Sequence, residues 1–116
     1  MISNGQGQQQ RKKLAQTGIL DGFDRIVISG ECGCAKPDPG IFVRACDRPG
    51  ERPGNAVHVG DQYELDAQAA RAAGLRGIWL DRHRRGTAEH APPIIESLLR
   101  LQPLLAGVWN LSQKQF

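Results

Sequence analysis

A chain of 116 residues with 40% apolar and 23% charged residues has enough material for one domain with a modest core, which excludes wholesale disorder. Its net charge of +3 gives no broad electrostatic footprint for nucleic acid, and the one basic cluster, Arg82-His83-Arg84-Arg85, reads as a solvated loop. No apolar run approaches a membrane span, and Met1-Ile2-Ser3-Asn4 carries no signal-peptide pattern, so a cytoplasmic protein with neither membrane nor nucleic-acid partner is expected.

Met1-Ile2 reads as the end of a strand, followed by a polar turn at Ser3-Asn4-Gly5 and a helix over 8–16 that stops near Gly18. Gly5-Gln6-Gly7 half-matches a dinucleotide fingerprint, but Gln10 stands where the third glycine belongs and no full strand precedes it. The β-branched run 25–29, bounded by Asp24 and Gly30, predicts a buried strand, and 30–36 a loop. Cys32, Cys34 and Cys46 lack the second pair or the histidines of a zinc site, and the odd count predicts reduced, packed thiols.

Asp38 is an N-cap and Pro39 a first-turn proline for a helix that turns Ile41, Phe42, Ala45 and Cys46 to one side. The prolines and glycines of 48–55 end it. Residues 56–59 form a second clear strand stopping at Gly60-Asp61. A helix then runs to about Ala73 with Leu65, Ala69, Ala72 and Ala73 inward, and Gly74 stops it. Residues 77–80 give a third strand. Pro92-Pro93 is expected to open an apolar helix through Ile94, Ile95, Leu98, Leu99 and Leu101, broken at Pro103, with 112–116 frayed. Strands alternating with helices predict a doubly wound parallel α/β sheet.

On such a sheet the strand ends of one edge converge, and that edge is where ligands bind. Lys36 lies in one loop, Asp61 at a strand's end, and Asp66 five residues on in the next helix. Two carboxylates suit Mg²⁺, which takes oxygen ligands and keeps several waters. Asp61 and Glu64 equally suit capping of a helix N-terminus, so spacing alone leaves both readings open. His58, inside an apolar strand, is expected to be a hydrogen-bonded structural residue.

Ser3-Asn4-Gly5, then Lys36-Pro37-Asp38-Pro39, then Gly60-Asp61 with Asp66 five residues beyond it, resembles the haloacid dehalogenase-like hydrolase superfamily. Gly18-Ile19-Leu20 with Phe23-Asp24, the continuation Gly40-Ile41-Phe42, and 69–75 resemble it too, so the likeness extends from Ile2 to about Arg82. The resemblance implies a Rossmann-like core acting on a small phosphorylated metabolite through an aspartyl-phosphate. Ser3, with Asn4 beside it, would bind the phosphoryl group, and Lys36 would neutralise charge on that group and on the attacking carboxylate. Asp61 would help hold Mg²⁺, with Asp66 as second ligand or orienting partner.

The family's first motif, Asp-x-Asp on a central strand, supplies its nucleophile and general acid, and no Asp-x-Asp occurs in these 116 residues. The cap that selects substrates is absent as well. The expectation is therefore a partial core domain at 1–105 with a tail at 106–116, an incomplete sheet lacking the nucleophile strand, and no activity for the chain alone. A non-catalytic phosphate- or metal-binding remnant is the main alternative. Dehalogenase chemistry and a receiver-type signalling module rank below it, the latter because Lys36 precedes Asp61. Oligomeric state is left open.

Overall fold

In the computed structural model the described residues are 1–114, with side chains through Gly107. Strands β1 (Ile2–Ser3), β2 (Val27–Ile28), β3 (Val57–Gly60), β4 (Arg76–Leu80) and β5 (Ile94–Ile95) alternate with helices except between β4 and β5, which a loop joins. The helices are α1 (Gly7–Gln16), α2 (Ser29–Cys32), α3 (Pro39–Ala45), α4 (Ala69–Ala72) and α5 (Leu101–Lys114). All strand pairs are parallel, as the βα alternation predicts. β1 pairs with β2, and β3-β4-β5 form a second sheet, so among the described residues the facing edges of β1 and β3 carry no strand partner.

Both faces are covered, which is the doubly wound arrangement. Val27, Ile41, Phe42, Ala69, Ala70 and Leu75 pack into one core from β2, α3, α4 and the turn before β4. Ile78, Leu80 and Ile95 form a second core with Val59, closed by Leu101, Leu104 and Leu105 of α5. Phe42 and Ile41 are fully buried, each contributing about 2–3 kcal/mol of transfer free energy. Asp38 caps α3 as expected, its carboxylate accepting from the Gly40 N–H at 2.8 Å.

Three local expectations are corrected. The segment 30–36 is not all loop: α2 makes one turn directly off β2 and stops at Gly33, whose φ of 74° is the left-handed region glycine enters freely. The helix after Asp61 opens with a π-helical stretch, Tyr63–Gln68, before α4. Its wider turns shift the inward face, so Asp66, Ala67, Ala69 and Ala70 are buried, Leu65 is half-buried and Ala72 is exposed.

The third correction is the segment after Pro92-Pro93. Ile94-Ile95 is a strand, not helix, because β4 offers it an open edge. Trp79 donates to the Pro93 carbonyl at 3.2 Å and Asp81 to that of Ile95 at 2.7 Å. The helix starts later, where the Ser97 hydroxyl accepts from Leu99 N–H at 3.2 Å. Pro103 falls in the first turn of α5, where no intrahelical donor is lost, and does not break it. α5 continues across residues 105–106 to Lys114, and the frayed end expected at 112–116 extends beyond the described residues. Among the described residues no helix is long and apolar enough to cross a membrane.

Candidate active site

Asn4 follows β1 and grips the Lys36 loop from both sides. Its Oδ1 accepts from the Lys36 backbone N–H at 2.9 Å, and its Nδ2 donates to the Lys36 carbonyl at 3.1 Å. These two bonds fix the backbone from which the lysine side chain departs. Lys36 Nζ then donates to Asp66 Oδ1 at 2.6 Å, in the helix that follows β3. Residues after β1 and after β3 thus meet through one lysine, which brings the C-terminal ends of the two sheets together.

Asp66 is the hub. His58 Nε2, on β3, lies 2.9 Å from the same Oδ1, and the Gln62 N–H donates to Oδ2 at 3.1 Å. The side chains of Lys36, His58 and Asp66 are only 14%, 11% and 4% exposed, so water competes weakly for these contacts. Burial alone would raise the Asp66 carboxyl. The hydrogen bonds from His58, Lys36 and the Gln62 amide, with the lysine charge, outweigh it and hold the group down at about 2. Asp66 is therefore a carboxylate at neutral pH.

Two features of the sequence make this placement possible. Gly60 ends β3 where any Cβ would collide with the Asp66 carboxyl carbon, so only glycine lets the acid fold back over the strand. Gly77 does the same under the Ala67 carbonyl, which is the close helix-to-sheet approach implied by the alanine-rich face. Phe42 stacks edge-on against His58, centroids 5.0 Å apart, and sets the plane of that ring.

Asp61 differs from Asp66. It is exposed at the end of β3, its carbonyl accepts from Trp79 Nε1 at 3.0 Å, and among the described residues its carboxylate has no hydrogen-bond partner. Asp81, at the end of β4, is not equivalent, since its oxygens accept from the Arg85 and Gly86 N–H groups at 2.8 and 2.7 Å. Among the described residues no three His, Cys, Asp or Glu side chains converge on one point. The donor set fits a hard cation that takes one or two carboxylates and keeps its waters: Asp61 is free to bind, and Asp66 is engaged by lysine and histidine. Ser3 is half-buried, and its hydroxyl reaches no nearer than 3.5 Å, to the Asn4 carbonyl.

Of the residues singled out in the sequence, Asn4, Lys36 and Asp66 come together directly. Asp61 stands at the same end of β3, and among the described residues Ser3 is linked through Asn4 alone. His58 is hydrogen-bonded, as expected, but its partner makes it part of the site; a lone imidazole in an apolar strand, two residues before Gly60-Asp61, carried no signal for that bond. A cleft of about 370 Å³ runs between the sheets, with Met1 and Ile2 on one wall and Val57, His58 and Val59 on the other.

The sequence model of the haloacid dehalogenase-like hydrolase family matches residues 1–74. The chain is 40% identical over 93 residues to a phosphoserine phosphatase of Thermus thermophilus, covering 80% of this chain and 37% of that protein. It is 37% identical over 112 residues to the N-acylneuraminate-9-phosphatase of Mus musculus, covering 93% and 45%. A HAD phosphatase from Thermococcus onnurineus superposes with a TM-score of 0.77 at 36% identity, covering 84% of this chain and 46% of that one. The chain thus spans less than half the length of these relatives. With a family match over most of its residues and a Rossmann-like parallel α/β architecture shared with its structural neighbours, the chain belongs to the haloacid dehalogenase-like hydrolases.

Proposed function

We propose that this chain supplies the phosphoryl- and Mg²⁺-handling half of a phosphatase-type site that acts on a small phosphate ester. The observation that carries the reading is the Lys36–Asp66 ion pair, joined by His58, beside the free carboxylate of Asp61. An ammonium anchored by a buried carboxylate holds a fixed position without needing substrate to order it, as charge stabilisation of a transferring phosphoryl group requires. Lys36 shields the negative charge of the phosphoryl oxygens, while Asp66 and His58 keep its Nζ in place. Asp61 serves as the carboxylate ligand for Mg²⁺. When bound, the cation neutralises phosphoryl charge. Asn4 sets the height of the Lys36 loop, and Ser3 offers its hydroxyl to a phosphoryl oxygen.

Among the relatives that match, the phosphoserine phosphatase and the N-acylneuraminate-9-phosphatase are phosphatases by name, which supports that branch over dehalogenation. None of Ser3, Lys36, Asp61 and Asp66 is proposed as the in-line nucleophile. That role belongs to an aspartate on a strand from outside these residues, seated between β1 and β3, and without it the chain binds rather than turns over. The experiment is a Mg²⁺ titration of isotopically labelled protein read from backbone amides. Residues 60–66 are expected to shift in the wild type and not in Asp61→Ala. Equal shifts in Asp61→Ala, or none in the wild type, would remove the metal site.

A further inference from the structure

Cys32 and Cys34 take no part in the site just described, yet they are placed for chemistry of their own. α2 ends at Cys32, and Gly33, in the left-handed region at φ 74°, turns the chain so that Cys34 comes back beside it. The two sulfurs lie 3.0 Å apart, and Cys32 Sγ also sits 3.2 Å from the Cys34 carbonyl oxygen. A side chain at Gly33 would have to enter the left-handed region at a steric cost, so the glycine favours this turn.

Cys32 also opens onto the surface. It lines a cleft of about 310 Å³ whose rim carries Arg25, Arg44, Glu31 and Asp47, room enough for a small disulfide to reach its sulfur. Glu31 is held by Arg11 in a paired contact at 2.8 and 2.9 Å, and the Arg25 guanidinium donates to the Asp47 carbonyl at 2.8 Å. All three thiols pack against the same core; Cys46 lines the cleft between the sheets, where burial pushes it up, with Glu51 adding to the effect.

We propose that Cys32 and Cys34 form a dithiol–disulfide exchange site for low-molecular-weight disulfides, with Cys32 attacking and Cys34 resolving. The Cys32 thiolate attacks one sulfur of R–S–S–R, making a Cys32–S–S–R mixed disulfide and expelling RS⁻, which takes up a proton. Cys34 loses its proton to solvent and attacks Cys32 Sγ. The Sγ–Sγ bond forms, the bond from Cys32 to the RS group breaks, and a second RS⁻ leaves as RSH. Two protein thiols are oxidised to one disulfide, and one external disulfide is reduced to two thiols.

The division of roles agrees with the acidities. The hydrogen bond from Cys34 lowers Cys32, and the charge of Arg44 adds to it; the same contact, with burial, raises Cys34. The proposal is independent of any phosphatase activity, because it concerns only the turn between α2 and Lys36.

The test uses the full chain, folded, with oxidised glutathione as the probe and mass spectrometry with peptide mapping as the readout. The expected product is a chain lighter by about two hydrogens, with Cys32 linked to Cys34 and Cys46 still a free thiol. Cys34→Ser is expected to stop at one glutathione on Cys32. Cys32→Ser is expected to react about tenfold more slowly or less. In urea, where the turn is lost, Cys46 is expected to react as well. A stable wild-type glutathione adduct, a Cys46 that reacts as fast as Cys32 in the folded chain, or undiminished reaction of Cys32→Ser would each overturn the proposal.

Discussion

Lys36 Nζ stands 2.6 Å from Asp66 Oδ1, and this contact ties the loop before α3 to the helix after β3. Both partners are almost covered, so the pair is neither screened by salt nor free to wander. Its worth lies in placement: a buried pair of this kind contributes little net stability against an apolar replacement, but removing one partner strands the other.

Asp66→Asn should therefore be costly. It leaves the Lys36 ammonium in a covered position with no counter-charge, and a loss of about 2–4 kcal/mol is expected in urea unfolding. Lys36→Met should cost less, since His58 and the Gln62 amide still hold the Asp66 carboxylate. An unchanged midpoint for Asp66→Asn would show that the pair is not closed in solution.

The same acid sets an acid limb of stability. Its carboxyl lies at about 2 in the folded chain against an ordinary value of 3.8. A lowered folded value means that the folded state prefers the charged form, so the contribution is full above about 3.8 and is lost as pH falls toward 2. The contribution is at most on the order of 2 kcal/mol. Urea midpoints measured from pH 5 down to pH 2 should fall steeply for the wild type and more gently for Asp66→Asn. Parallel profiles would contradict the assignment.

Gly60→Ala tests the seat of Asp66. The added methyl meets the Asp66 side chain near its root, which cannot swing away without breaking the bonds to Lys36 and His58. A loss of about 1–3 kcal/mol is expected, with the amide signals of 60–66 displaced. Gly77→Ala, which meets the Ala67 carbonyl of the backbone, should cost at least as much. Gly22→Ala, which meets nothing within 4 Å, serves as the neutral control.

Much of this site can be read in the residues themselves. Asp38-Pro39 announces the start of α3, and the Lys36 and Asp66 motifs stand at positions the fold brings together. What could not be read is tertiary in origin. The π-helical stretch at Tyr63–Gln68 carries Asp66 back over Gly60, a fit invisible to helical periodicity. Ile94-Ile95 belongs to β5 because β4 has an edge to pair, whereas its apolar run reads equally as helix. His58 enters the site through one bond to Asp66 across eight residues, and no local pattern encodes that contact.

The central claim is that Lys36 and Asp61 handle a phosphoryl group, and it is tested most directly by hydrolysis of p-nitrophenyl phosphate with Mg²⁺. The comparison is between the 116-residue chain and a form extended upstream by a strand carrying Asp-x-Asp. The account predicts no turnover by the chain alone, turnover by the extended form, and a loss on the order of a hundredfold or more in its Lys36→Ala and Asp61→Ala variants. Activity in the extended form that ignores Lys36→Ala, or Asp61-dependent turnover by the 116 residues alone, would contradict it.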